Sequence, residues 1–114
     1  DTCESLTNLD LSSFDTSNVT NMGSMFDTCE SLTNLDLSSF DTSKVTDMNR
    51  MFFNCSKLIT IKGVLDLSSC TDVDDMFCNC SVTGLHLKNV PRELDFSKSR
   101  GIEGKTYVVD NYID

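Results

Sequence analysis

The chain has 114 residues, enough for one domain, and its formal net charge is −9. Residues 1–43 contain eight carboxylates and no Lys or Arg, whereas residues 44–114 contain ten acidic and nine basic residues. An acidic surface repels phosphate backbones and anionic lipids, so nucleic acid is not an expected partner. The longest apolar runs are only three or four residues, which excludes insertion into a bilayer.

A repeat of 26 residues dominates the sequence. The first two copies differ at only four positions, and two weaker copies follow. Such self-similarity predicts a solenoid over residues 1–97, because each unit buries its apolar face against the next. Residues 98–114 lack the pattern and are predicted to form a C-terminal cap with a strand over 105–113. The four copies occupy residues 1–26, 27–52, 53–77 and 78–97.

The spacing of apolar residues changes within one repeat. Leu35 and Leu37 alternate around Asp36, which is typical of a short strand. The next apolar residues follow at spacings of three, three and one, which predicts one face of a short helix. These residues are Val45, Met48, Met51 and Phe52. The sequence therefore predicts an α/β fold, a leucine-rich-repeat-like solenoid with one short strand and one short helix per repeat of about 26 residues.

The differences between the first two copies agree with this prediction. All four lie in the predicted helix, and none replaces one of its apolar residues. They are Asn18/Lys44, Asn21/Asp47, Gly23/Asn49 and Ser24/Arg50. We expect them to change only the outer surface of the helix.

The string LTNLDLSSFDTSNVTNMGSMF, followed by Cys-x-x-Leu, resembles the BspA-like leucine-rich repeats of bacterial surface proteins. The resemblance is close over residues 1–52 and looser over 53–80. It implies an extracellular or cell-surface module that adheres to a protein, matrix or host-surface ligand. The alternative is a structural spacer or assembly subunit that has no specific ligand of its own.

The exposed position of each predicted strand is the candidate partner-binding surface. Successive repeats place Asp10, Asp36, Lys62 and His86 there. Asp10 and Asp36 are expected to lie opposite each other, where like charges cost about 1 kcal/mol. A cost retained in both copies favours a cation or a basic partner, but a recent duplication would also have copied it.

A second set of carboxylates has a structural explanation. Asp15, Asp41, Asp66 and Asp95 occupy the turn before the predicted helix. Aspartate in such a turn accepts hydrogen bonds from nearby backbone N–H groups. We therefore expect this turn column to stabilise the chain rather than bind a ligand.

Four cysteines recur in register, at Cys3, Cys29, Cys55 and Cys80. Side chains in register point the same way, which favours buried thiols packed beside each other over a chain of disulfides. Cys70, Cys78 and Cys80 lack the paired spacing of a structural zinc site. His86 has no nucleophile at a recognisable spacing, and the phosphate-loop and dinucleotide motifs are missing. The sequence thus indicates neither an enzyme nor a metal or cofactor.

The first repeat has no polar capping segment before it. An uncapped repeat exposes an apolar face and tends to associate. We therefore expect either further repeats upstream or end-to-end association of the chain.

Overall fold

The computed structural model describes residue 9 and residues 11–114. Within these residues the regular structure consists of short strands and turns, without a helix. The predicted leucine-rich-repeat solenoid with a helix in each repeat is therefore wrong. No helix of the described part is long and apolar enough to cross a membrane. The strands are β1 (Asn34–Asp36), β2 (Thr60–Lys62), β3 (Val64–Asp66), β4 (Leu85–Lys88), β5 (Val90–Pro91), β6 (Tyr107–Val109) and β7 (Tyr112–Ile113).

The strands form three small parallel sheets, which join neighbouring repeats or join a repeat to the C-terminal segment. The strand orders are β1–β2, β3–β4–β6 and β5–β7. Leu35 of β1 lies opposite Ile61 of β2, and Leu65 of β3 lies opposite Leu87 of β4. All four side chains are buried, so the alternation predicted for the strands places them in one core.

The segment predicted to be helical is instead a series of tight turns. The Met48 N–H donates to the Asp72 carbonyl over 2.9 Å, and the Phe52 N–H donates to the Met76 carbonyl over 3.0 Å. The Met51 N–H between them donates to the Met48 carbonyl over 3.3 Å, three residues back. An α-helix would direct every N–H four residues back along its own segment. Here the alternate N–H groups bond to the next repeat, so apolar residues three apart face the core without a helix.

Left-handed backbone conformations interrupt the same segments at equivalent places. The φ angles of Ser24, Arg50, Asp75 and Arg100 are 60°, 55°, 55° and 67°. Thr28, Asn54 and Asn79 form a second such set, with φ of 62°, 60° and 55°. This conformation costs a residue other than glycine about 1–2 kcal/mol and cannot continue a right-handed helix. The hydrogen bonds between repeats hold these residues in place.

One aromatic residue from each repeat stacks on the next. The ring centroids of Phe26 and Phe52 are 5.7 Å apart, and those of Phe52 and Phe77 are 6.0 Å apart. Tyr107 continues the column at 5.6 Å from Phe77, and Phe96 lies 5.0 Å from Tyr107. The C-terminal segment thus packs on the same core. It contains two short strands, β6 and β7, where the sequence predicts a single strand.

Gly63 separates β2 from β3. Its φ is 110°, and an added Cβ would lie 2.8 Å from the Ser38 nitrogen, closer than real contacts allow. Only glycine fits such a close approach to the preceding repeat. Because the chain bends here, β2 pairs with the repeat before it and β3 pairs with the repeat after it.

Candidate functional site: the exposed strand face

The side chains that alternate with the core residues form one exposed surface, here called the strand face. Strands β1 and β2 each have an exposed–buried–exposed pattern, and β4 continues it. The central members of the strand face are the exposed residues Asp36, Lys62, Val64, His86 and Lys88 and the half-buried Val108.

Asp36 and Lys62 lie opposite each other on β1 and β2. Ser38 donates to the Asp36 carboxylate from its hydroxyl, at 2.5 Å, and from its backbone nitrogen, at 2.9 Å. These two hydrogen bonds lower the pKa of Asp36, and the charge of Lys62 adds to the effect. Asp36 therefore has a local structural role, which was not predicted from the sequence. Asp10, its expected like-charged neighbour, lies outside the described residues.

His86 lies in a different sheet from Lys62. It is opposite Val64 of β3 on one side and Val108 of β6 on the other. Its Nδ1 atom is 2.7 Å from Oδ1 of Asp110, and 51% of its side chain is exposed. Of the sequence candidates that the structure describes, Asp36 is thus paired with Lys62, whereas His86 lies between two valines. The row of Val64, His86 and Val108 is here called the apolar row.

Sequence reasoning missed Val64, Val108 and Asp110. Val64 is 39% exposed although its neighbour Leu65 is fully buried. The available signal was Gly63, because a glycine inside a strand pattern indicates a bulge that changes the pairing. Val108 and Asp110 lie in the predicted C-terminal strand, which the sequence alone does not pair with any repeat.

Charged residues border the apolar row. Lys88 of β4 lies opposite Asp66 of β3. The Asp66 carboxylate accepts hydrogen bonds from the Ser68 backbone nitrogen at 2.9 Å and from Asn89 Nδ2 at 3.2 Å. Lys62 and Lys88 are both exposed. Their ammonium groups can therefore contact a ligand that lies on the row.

The turn column has the structural role that the sequence predicts. The Ser43 hydroxyl donates to Asp41 at 2.6 Å, and the Ser43 backbone nitrogen donates to it at 3.0 Å. The hydroxyl bond is the larger cause that lowers the pKa of Asp41. Asp15 is bound in the same way by Ser17. These carboxylates close their own turns, which confirms the prediction for Asp15 and Asp41. Asp66 instead ends strand β3, although it also accepts a hydrogen bond from the Ser68 backbone nitrogen.

The cysteines differ from the predicted row of thiols. Cys29 is disulfide-bonded, so the prediction of a free thiol is wrong at that position, and Cys3 lies outside the described residues. Cys55 and Cys70 are free and buried. Burial raises the pKa of Cys55 to about 12 and that of Cys70 to about 11, so neither is a nucleophile at neutral pH.

No cluster of three or more metal-binding side chains occurs among the residues that the structure describes. The fold and the site define a repeat protein built from tight turns and short parallel strands, with one exposed strand face. The chain belongs to the family described as "Mycoplasma protein of unknown function, DUF285", whose model matches residues 1–89. Neither a curated protein nor a solved structure matches the chain.

Proposed function

We propose that the chain is a binding module of a surface repeat protein and that a protein or matrix ligand docks on its strand face. The observation that carries this proposal is the row formed by the exposed side chains of Val64 and His86 and the half-buried Val108, bordered by lysines. An apolar centre with a charged rim is the usual composition of a protein-binding surface.

Two further observations support a location outside the cell. The sequence resembles the BspA-like repeats of bacterial surface proteins. Cys29 is disulfide-bonded, and structural disulfides persist in oxidising, extracellular surroundings. We therefore place the proposed binding activity at the cell surface or in the secreted fraction.

A structural spacer is the second candidate function. It is favoured by the carboxylates of the turns, which are bound by serines of their own repeat. Asp36 is bound in the same manner. If all the polar groups that recur between repeats only hold the repeats together, the chain needs no ligand. The two candidates differ in whether the strand face has a partner.

The test is binding of the chain to immobilised basement-membrane extract, measured by biolayer interferometry. A variant with Val64→Ser and His86→Ala removes the centre of the apolar row. We expect it to bind about tenfold more weakly, because a few residues near the centre of an interface dominate its binding energy. The matched control is Ile59→Ser, which removes a side chain that is 55% exposed but lies outside the strand face.

The control variant is expected to bind like the unmodified chain. The spacer function predicts no specific binding by any of the three proteins. Loss of binding in Ile59→Ser alone would place the ligand elsewhere on the surface and contradict the proposal.

A further inference from the structure

A cavity of about 350 Å³ lies between the fourth repeat and the C-terminal segment. One wall is the loop before β4, with Ser81 and Thr83, and the other is the loop before β6. The second loop contributes Arg100, Ile102 and Lys105. The lining thus contains two cationic residues and no carboxylate, in a chain with twice as many acidic as basic residues. This C-terminal cavity is separate from the strand face.

Hydrogen bonds fix the two walls relative to each other. The Gly84 N–H donates to the Lys105 carbonyl at 2.8 Å, and the Leu85 N–H donates to the Thr106 carbonyl at 3.1 Å. The Thr106 N–H donates to the Ile102 carbonyl at 2.8 Å and closes the second loop. The cavity is therefore built into the backbone, and a ligand would not have to order it.

Arg100, Lys105 and Thr106 keep hydrogen-bond donors available to a ligand, whereas the Ser81 hydroxyl donates to the Ser56 carbonyl at 2.8 Å. The Arg100 side chain is 66% exposed and has one contact with Asp75, at 3.6 Å from its Nε atom. A guanidinium has five N–H donors, so most of the N–H groups of Arg100 remain available to a ligand. The Thr106 hydroxyl accepts the Ile102 N–H at 3.2 Å and keeps its own hydrogen to donate. Lys105 is exposed beside them.

We propose that the C-terminal cavity binds a small dianionic oxyanion, as inorganic phosphate or as a phosphate monoester. Arg100 and Lys105 supply the two positive charges, and the planar guanidinium matches the spacing of phosphate oxygens. Ile102, which is 60% exposed, offers an apolar surface to the organic part of an ester. A long polyanion would meet the net charge of −9 on the rest of the chain, which restricts the ligand to a small one.

The test is a titration of the ¹⁵N-labelled chain with sodium phosphate and, separately, with glycerol 3-phosphate, at constant ionic strength. We expect saturable amide shifts at Ser81, Thr83 and Thr106, with dissociation constants in the millimolar range. Equal affinity for the two compounds would support the oxyanion alone as the ligand. Tighter binding of the ester would support the additional contact with Ile102.

Variants distinguish binding in this cavity from non-specific attraction of the phosphate to positively charged side chains elsewhere on the surface. Arg100→Ala with Lys105→Ala is expected to weaken binding at least about tenfold, since two charge-assisted contacts are lost. Asp75→Asn is expected to strengthen it about threefold, because a carboxylate that competes for Arg100 is removed. Lys57→Ala, which removes an exposed lysine outside the cavity, is the control.

Unperturbed signals from the aromatic column will show that each variant is folded. The absence of saturable shifts with either compound would overturn the proposal. So would shifts that persist in the double variant, or an equal loss of affinity in Lys57→Ala.

Discussion

Gly63 has a φ of 110°, and its Cα faces the backbone of Leu37 and Ser38 in the preceding repeat. Gly63→Ala would bring a Cβ to 2.8 Å from the Ser38 nitrogen and also impose an unfavourable backbone conformation. We expect the free energy of unfolding to fall by about 3 kcal/mol, since both strain terms act together. Urea unfolding followed by circular dichroism measures this loss.

Gly84→Ala is the matched control for Gly63. Gly84 also has a positive φ, of 75°, but an added Cβ would have no neighbour within 4 Å. Only the conformational cost remains, so the expected loss is about 1 kcal/mol. Equal losses in the two variants would show that the close approach to Ser38 is not what requires glycine.

The buried thiol of Cys55 makes stability depend on pH at the alkaline end. Its Sγ–H donates to the Phe26 carbonyl at 3.0 Å, and burial raises its pKa from 9.0 to about 12. In the unfolded chain the thiol ionises near 9.0, whereas in the folded chain it stays protonated until about 12. The contribution of this thiol to stability is therefore fully present below the pKa of the unfolded chain. It is lost as the pH rises through the pKa of the folded chain.

We expect the free energy of unfolding to decline between pH 9 and 11 more steeply in the unmodified chain than in Cys55→Ala. Urea unfolding at each pH, under conditions that keep the disulfide of Cys29 intact, measures the two slopes. Cys70 also has a raised pKa, so the variant should retain part of the decline. Identical slopes would mean that Cys55 does not contribute.

At the scale of the element, each turn depends on an aspartate bound by the serine two residues later. Ser43→Ala removes the hydroxyl that donates to Asp41 at 2.6 Å and leaves only the backbone donor. The pKa of Asp41, which the serine lowers below 3.8, should rise toward that value. NMR titration of the carboxyl carbon measures this change, with Ser39→Ala as a control on the neighbouring turn.

The same variant should unfold at a higher pH when acid is added. A carboxyl whose folded pKa is lowered stabilises the fold above its unfolded pKa, and this contribution is lost as pH falls through the folded value. Ser43→Ala raises the folded pKa of Asp41, so less of that contribution is present at any acidic pH. An unchanged acid midpoint would show that the turn does not limit acid stability.

Sequence patterns predicted the strands better than the segments between them. Leu35 and Leu37 alternate as expected and are buried. Met48 and Met51 are also buried as expected, but a spacing of three fits tight turns as well as a helix. What decides between them is the bonding of alternate N–H groups to the next repeat, together with the left-handed conformation of Arg50. Neither the hydrogen bonding between repeats nor the left-handed conformation can be predicted from the spacing of apolar residues.

The candidate site was predictable only within the regular repeats. The exposure of Asp36 and Lys62 follows from the alternation of the strands, and the structure pairs them. The neighbours of His86 could not be predicted from this alternation. Gly63 bends the chain, so β3 rather than β2 pairs with β4, the strand that contains His86. The tertiary contact that requires this glycine lies in another repeat, so local sequence gave no register for it.

At the scale of the molecule, self-repulsion among carboxylates opposes folding. The net charge is −9, and the longest dimension is 40 Å. At 0.01 M salt the screening length is about 30 Å, so carboxylates repel each other across most of the structure. At 0.15 M salt it falls to about 8 Å, and only near neighbours still interact. Stability should therefore increase with ionic strength.

We expect the thermal midpoint to rise by roughly 3–6 °C when sodium chloride is increased from 0.01 to 0.15 M, which corresponds to about 1 kcal/mol. Differential scanning calorimetry measures it. A variant with Glu30→Gln and Asp74→Asn removes two exposed negative charges and should show a smaller rise. A midpoint that falls with salt would mean that attractive pairs, such as Arg50 with Asp27 at 3.3 Å, outweigh the repulsion. Because that pair is still partly exposed to solvent, we expect its contribution to be the smaller one.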